Sequence, residues 1–438
     1  MRTLARELQT KVGTQATVKG WLHKKRLLGG LTFIVVRDRS GLTQALVKEK
    51  GEVEKLRGLQ VGTVLEITGV VASDDRAPGG VEIHETSLKI DVPVEAEPPI
   101  EIDKPLDQFH KSDLLDTLFE YRVIGLRNPK EQAVFKIQSE IVEAIRMYLR
   151  SQDFTCIRTP KLLAAATEGG AEVFKFDYFG KEATLAQSPQ FYKQMMVGVF
   201  ERVFEISPVY RAEPSATTRH MTEYVSVDAE MGFVSIEDIK TLLSGLMNAV
   251  AGHLWEHCAG ELAMWGAVKP VLPKEIPSMT MADIHEKYTA ATGTKTVGEK
   301  DLRPDEERWI CEYARDNLGS EAIFVTDWPA SEMRFYHKAQ AGRPQFADRI
   351  DLLFRGLEMV TGSMRENRHD IVRKQLIDMV GGDPEAPGFK YFLMAMQAGM
   401  PPHGGFGMGL ERITAKMIGL NNIKEASLFP RDINRLAP

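Results

Sequence analysis

Five β-rich segments crowd into the first ninety residues, at 17–23, 32–37, 43–48, 63–71 and 81–90. Gly29-Gly30, Arg39-Ser40-Gly41 and Ala77-Pro78-Gly79-Gly80 supply turn signals between them. Residues 52–59 read as a short helix between the third and fourth segments. Five strands with one helix after the third is the order of an OB-fold barrel, and an SH3-like barrel is the alternative.

The pattern then changes. Val92-Pro93-Val94-Glu95-Ala96-Glu97-Pro98-Pro99 is rich in proline and acid, which predicts an extended linker. Asn128-Pro129-Lys130-Glu131 places a cap residue, a first-turn proline and a Glu three after the cap. Val134, Ile137, Ile141, Ile145 and Tyr148 follow at helical spacing, predicting an amphipathic helix over 129–150. Strand-like stretches at 155–158, 184–186, 203–210 and 224–233, with helices near 236–258 and 305–317, suggest an antiparallel sheet backed by helices. The expected architecture is α+β and multidomain: a barrel over 1–98, a hinge region over 99–130 and a larger domain over 131–438.

Composition narrows the class. With 43% hydrophobic and 26% charged residues, the chain can build large cores, so wholesale disorder is excluded. No apolar run is long enough for a membrane span, and the charged N-terminus has no apolar stretch behind it. Cys156, Cys258 and Cys311 are widely spaced, which argues against a disulfide framework or zinc site and fits a cytoplasmic protein. The net charge of −6 conceals a basic head, +5 over residues 1–90, on an acidic body. Local contact with nucleic acid is therefore possible.

Four segments are dense in groups that bind anions or carboxylates: 187–194, 211–228, 351–365 and 403–412. Asp351 and Glu358 are hard oxygen donors suited to a nucleotide-bound Mg²⁺, and the glycines at 404, 405, 407 and 409 permit close backbone approach. No P-loop or strand-linked GxGxxG is present. Singly, an Arg-x-Glu is a surface ion pair and a glycine run is a turn. Their order and co-occurrence carry the meaning.

In chain order, the segment ending at Pro160, the Arg211-Ala212-Glu213 strand–loop–strand and the glycine strand ending Leu410-Glu411-Arg412 resemble the three signature motifs of class II aminoacyl-tRNA synthetases. The preceding barrel resembles subclass IIb. Gln187-Ser188-Pro189-Gln190-Phe191-Tyr192-Lys193 is similar to the aspartyl pattern, and the length is similar to the compact archaeal and eukaryotic type. The resemblance implies activation of L-aspartate by Mg²⁺-ATP and transfer to the 3′-OH of tRNA. For aspartate it implies Lys193 and Arg365 on the side-chain carboxylate, Asp228 orienting the lysine, Ser188 and Gln190 nearby, and Glu168 in a loop that closes over the amino group. Asparagine would leave the two buried cations unpaired. For ATP it implies Arg211, Glu213, Arg219, His220, Tyr224, Glu358, Gly409 and Arg412, with Arg211, Glu358 and Arg412 catalytic. Asp351, Glu358 and Thr361 would hold the metal.

The same resemblance implies tRNA contacts at His23, Arg26, Phe33, Gln44 and Pro78 in the barrel, and at Ser215 and Thr217 near the acceptor end. Phe33 would stack on the central anticodon base; without the resemblance it reads as barrel core. His23 and Pro78 are similar to the pair found in relaxed enzymes that charge both tRNA(Asp) and tRNA(Asn), which implies a tRNA-dependent amidotransferase downstream. A homodimer is implied by the first motif. Leu27, the 213–216 loop and Ser363-Met364 depart from the usual pattern, and none is expected to touch the aspartate ligands. The alternatives are a strictly discriminating enzyme, a tRNA-independent paralogue making an aspartyl amide, and a non-catalytic RNA-binding module.

Overall fold

The computed structural model describes residues 1–28, 31–111, 114–164, 172–214 and 216–438, so Glu168, Ser215 and the Gly29-Gly30 turn lie outside the described residues. The described residues divide into two units, Met1–Gln132 and Ala133–Pro438.

In the first unit, strands β1 (Gln15–Leu28), β2 (Leu31–Asp38), β3 (Gly41–Val47), β4 (Val64–Ser73) and β5 (Val81–Val92) close a barrel in the order β1-β2-β3-β5-β4. Helix α1 (Lys50–Arg57) follows β3. This is the OB-fold order. Alternation sends Val18, Ile34, Val36, Ala45, Val47, Ile67 and Ile83 inward to one core. β1 serves two neighbours, pairing with β4 from Gln15 to Trp21 and with β2 from Trp21 to Leu28. Gly20 permits the close approach at that changeover: a Cβ there would sit 2.2 Å from the Arg37 carbonyl oxygen. The register slips between Leu22 and Lys24, so His23 occupies a bulge, a device that re-aims a side chain. Residues 100–119 add a small apolar cluster of Ile100, Leu106, Leu115, Leu118 and Phe119.

Helix α2 (Pro129–Ser151) starts as its sequence predicts, with the Lys130 amide donating to Asn128 Oδ1 at 2.9 Å. Glu131 does not close the capping box; its carboxylate meets His110 Nε2 at 2.8 Å instead. The stripe Val134, Ile137, Ile141 and Ile145 is buried in the core of the second unit.

That unit is built on an eight-stranded sheet. Its strands are β6 (Thr155–Cys156), β7 (Arg202–Tyr210), β8 (Glu223–Gly232), β9 (Ser278–Thr280), β10 (Ala322–Thr326), β11 (Arg349–Phe354), β12 (Leu357–Arg365) and β13 (His403–Gly409). The spatial order is β9-β10-β11-β12-β13-β8-β7-β6. The six inner strands are antiparallel and both outermost pairs are parallel, so the sheet is mixed at its edges. The expected strand near 184–186 belongs to a separate three-stranded sheet with 162–163 and 175–178. Helices α3 (Gln190–Phe200), α4 (Ile236–His257), α5 (Pro304–Leu318) and α6 (Leu410–Ile418) belong to the same unit, and α2, α4 and α6 share its main core. Among the described residues no helix is long and apolar enough to cross a membrane.

Candidate active site

A cavity of about 530 Å³ opens over β8, β12 and β13, lined also by residues of α3, the 211–224 loop and 328–337. Of the residues singled out in the sequence, Ser188, Gln190, Lys193, Arg211, Glu213, Arg219, His220, Tyr224, Asp228, Glu358, Thr361, Arg365, Gly409 and Arg412 all line it. Asp351 and Thr217 do not. Asp351 is 1% exposed behind Arg349, and Thr217 is exposed, its Oγ1 2.7 Å from His220 Nδ1.

At the inner end, Lys193 is carried in by α3 and is buried. Its Nζ donates to Asp228 Oδ1 at 2.8 Å and to the Phe406 carbonyl at 2.9 Å. Ser226 Oγ donates to the other Asp228 oxygen at 2.5 Å. Arg365, at the end of β12, donates from Nε and Nη2 to Glu230 at 2.8 and 3.2 Å. Glu230 Oε2 also lies 3.5 Å from Lys193 Nζ. Burial alone would raise the Glu230 carboxyl, but Arg365 and Lys193 outweigh it and hold it below its ordinary value.

This network amends two expectations. Each buried cation already has a carboxylate partner, so an incoming amide would not leave it unpaired. What Lys193 and Arg365 offer is donor chemistry: they have N–H groups only and cannot accept from an amide NH₂. Ser363 does touch a residue expected to bind aspartate, since Arg365 Nη1 donates to its hydroxyl.

Toward the mouth, Arg211 follows directly on β7, its guanidinium carbon 5.6 Å from the Tyr224 ring centroid. Arg412, in the first turn of α6, donates from Nη1 to the Glu358 carbonyl at 2.8 Å and approaches Oε1 at 3.3 Å. Thr361 Oγ1 lies 3.3 Å from the same Oε1. Burial would raise Glu358, yet Arg412, Arg349 and Arg211 together keep it below its ordinary value and ionised. Arg219 is tied to Glu307 at 2.7 Å, and His220 Nε2 stands 3.7 Å from Glu213. Burial lowers the His220 pKa, with Glu213 opposing and Arg412 reinforcing.

Glu411 supplies a pH-dependent effect. Its carboxylate accepts from the Val225 amide at 3.1 and 3.2 Å, and burial pushes its pKa up to about 7. A carboxyl raised on folding penalises the folded state above its unfolded pKa, and the penalty is complete above the folded one. Glu411→Gln is therefore expected to raise stability by about 1–3 kcal/mol at pH 8, with the gain fading toward pH 4.5. Thermal melts at both pH values check it; an equal gain at both would refute the ionisation argument.

The sequence did not single out Glu230, Arg349, Trp328, Tyr336 or His337, all of which line or flank the site. Glu230 and Arg349 each stand two residues from a named acid on a strand, so period-two spacing was an available signal. His337 is buried, and its pKa falls well below the ordinary value through burial and then Arg365 and Arg349.

In the barrel, Phe33 is not core. It is half-buried between the buried Thr32 and Ile34, hence on the outer face, paired with Arg26 on β1 and Leu46 on β3. Gln44 on the next strand donates to Glu82 at 2.7 Å, and Glu82 also meets His84 Nε2 at 2.7 Å. His23 is buried with Nδ1 unpartnered among the described residues; burial and then Arg37 lower its pKa. Pro78 begins the short turn between β4 and β5.

Residues 16–91 match the OB-fold nucleic acid binding domain and residues 115–433 match the tRNA synthetases class II (D, K and N). A Thermus thermophilus protein named aspartate–tRNA(Asp/Asn) ligase is 40% identical, with 100% of each chain covered. One of the same name from Deinococcus radiodurans is 39% identical, covering 100% of this chain and 99% of its own. Among solved structures, asparaginyl-tRNA synthetase from Pyrococcus horikoshii with asparaginyl-adenylate superposes with a TM-score of 0.90 at 29% identity, covering 100% of both chains. Aspartyl-tRNA synthetase from Entamoeba histolytica gives 0.85 at 28% identity, covering 100% of this chain and 93% of that one. By the match across most of its length and by these full-length relatives, the chain belongs to the class II tRNA synthetases of the D, K and N group.

Proposed function

We propose that the chain is a cytoplasmic aspartate–tRNA ligase that charges both tRNA(Asp) and tRNA(Asn). The observation that carries the amino-acid assignment is the paired Lys193 and Arg365, two donor-only cations at the closed end of the cavity. The name shared by the two full-length relatives supports the same substrates. Residues 1–98 would bind the anticodon, 131–438 would hold the chemistry, and 99–130 would connect them. Ser188, Gln190 and Asp228 would shape the aspartate pocket, with Glu168 closing over the amino group.

In the proposed reaction the aspartate α-carboxylate attacks the α-phosphorus of ATP. A carboxylate–phosphorus bond forms, the α–β phosphoanhydride bond breaks, and pyrophosphate leaves. No general base is needed, because the nucleophile is already an anion. Arg211 would bridge the two anions, while Arg412 and Tyr224 flank the adenine, Glu213 meets its amino group, and Arg219, His220 and Gly409 complete the nucleotide site. Positioning and charge stabilisation then account for the rate. The ionised Glu358 beside Thr361 fits a hard divalent cation, and a bound Mg²⁺ would neutralise phosphate charge there. The aspartyl group then passes to the 3′-OH of the terminal adenosine of tRNA, and AMP leaves. Ser215 and Thr217 would face the acceptor end. Phe33, Arg26 and Gln44 form one outer face of the barrel suited to splayed bases, where stacking on Phe33 gives about 1–3 kcal/mol. A homodimer through the 151–160 segment, and an amidotransferase that converts Asp-tRNA(Asn), complete the reading.

Side-by-side aspartate charging of purified tRNA(Asp) and tRNA(Asn) at one salt concentration tests it, with comparable charging of both as the expected result. Charging of tRNA(Asp) alone would leave the ligase and remove the relaxed reading. Exchanging His23 and Pro78 together is expected to depress tRNA(Asn) charging selectively, about tenfold; equal losses on both tRNAs would remove these residues from selectivity.

A further inference from the structure

A tight turn sets His337 beside Arg365 in the wall of the cavity. The His337 amide donates to the Arg334 carbonyl at 2.9 Å, and the Arg334 amide donates back to His337 Nδ1 at 3.3 Å. The chain then pairs with the end of β12. His337 forms an antiparallel bridge with Arg365, flanked by bonds from the Glu366 amide to the Tyr336 carbonyl at 3.0 Å and from the Lys338 amide to the Met364 carbonyl at 3.1 Å. The imidazole stands edge-on to the Tyr336 ring, with centroids 4.9 Å apart, and His337 is only 6% exposed.

A backbone amide can only donate, so Nδ1 carries a lone pair and the ring proton sits on Nε2. Burial, then Arg365, Arg349, Arg334 and Lys193, hold the ring in its neutral form. Nε2 has no acceptor among the described residues, yet unlike His23 Nδ1 it is not sealed off, and His337 lines the cavity. A neutral imidazole ordinarily offers one donor and one acceptor. This one has spent its acceptor on its own turn and offers the cavity a donor alone.

We propose that His337 is a specificity-determining residue that donates from Nε2 to the side-chain carboxylate of the amino-acid substrate. The inference rests on the cavity being an aspartate site. The charges of Lys193 and Arg365 are already balanced there by Asp228 and Glu230, so a further neutral donor adds a hydrogen bond to the carboxylate without adding a buried charge that needs its own partner. It also adds discrimination. An amide NH₂ facing Nε2–H would meet donor against donor, and turning the ring to accept would break the bond from the Arg334 amide.

The test measures aspartate-dependent ATP–pyrophosphate exchange on the full-length protein with His337→Gln and His337→Met, two side chains of similar length and shape of which only Gln carries an N–H donor. His337→Met is expected to raise the KM for aspartate about tenfold or more, as for the loss of one hydrogen bond to a charged group, with the KM for ATP within about twofold. His337→Gln is expected to stay within about threefold of the unaltered protein in the KM for aspartate. Thermal melts of both variants show how far each is folded, and the comparison is of one variant with the other. Equal KM values for aspartate in the two variants would overturn the proposal, since a packing role needs the ring and not the donor. So would a rise confined to the KM for ATP. No aspartate-dependent exchange in the unaltered protein would remove the aspartate reading itself, and this proposal with it.

Discussion

Arg365→Met is expected to destabilise the protein by about 3–5 kcal/mol and to abolish aspartate-dependent ATP–pyrophosphate exchange. Removing the guanidinium leaves Glu230, which is fully buried, with Lys193 at 3.5 Å as its remaining cationic contact. Breaking a buried ion pair from one side costs this much because the surviving charge stays desolvated. The double variant Arg365→Met/Glu230→Met should regain most of that stability, since two unbranched apolar side chains replace the pair, and should remain inactive. Denaturant unfolding of the two variants and the unaltered protein separates the cases. A single-variant cost below about 1 kcal/mol would mean that water reaches Glu230, as it does in exposed pairs.

The second large effect is kinetic. Arg211→Ala is expected to lower kcat for exchange about 10²–10³-fold, the range found when one preorganised donor to a developing charge is lost. Arg211 leaves the end of β7 into the cavity and belongs to the set of cations that keeps Glu358 ionised. It is only half-buried, so its removal should change the melting temperature little. A rise in the KM for ATP with kcat intact would instead assign Arg211 to ground-state binding.

Local rules made much of this molecule legible. Period-two alternation and turn residues located the five barrel strands, and the Asn128 cap with its apolar stripe located α2 to within a residue at its C-terminal end. The mixed sheet was harder, because its edge pairings join residues far apart, as Thr155 to Val203 and Ser278 to Phe324. The site divides in the same way. Lys193, Arg211 and Arg412 sit in segments with recognisable local order. Trp328, Tyr336 and His337 arrive from a stretch with no periodicity or spacing signal, brought in by the tertiary fold. The charge state around Lys193 and Arg365 was hidden for a related reason. Glu230 matters through Arg365, 135 positions away along the chain, and no local pattern reports that pairing.

The glycines of β13 set a boundary on redesign. A Cβ at Gly405 would fall 2.1 Å from the Ala229 carbonyl oxygen and 2.3 Å from Glu230 Oε2. Strand β13 lies against β8 with nothing between them, and the acids of β8 occupy the space its side chains would take. Position 405 is therefore closed to any programme that seeks to make the cavity accept a different amino acid. Such a programme has to work through positions 193, 228, 230 and 365, which are coupled by charge, so they must be exchanged as a set. Libraries that vary them one at a time would mostly sample destabilised chains that carry an unpaired buried charge.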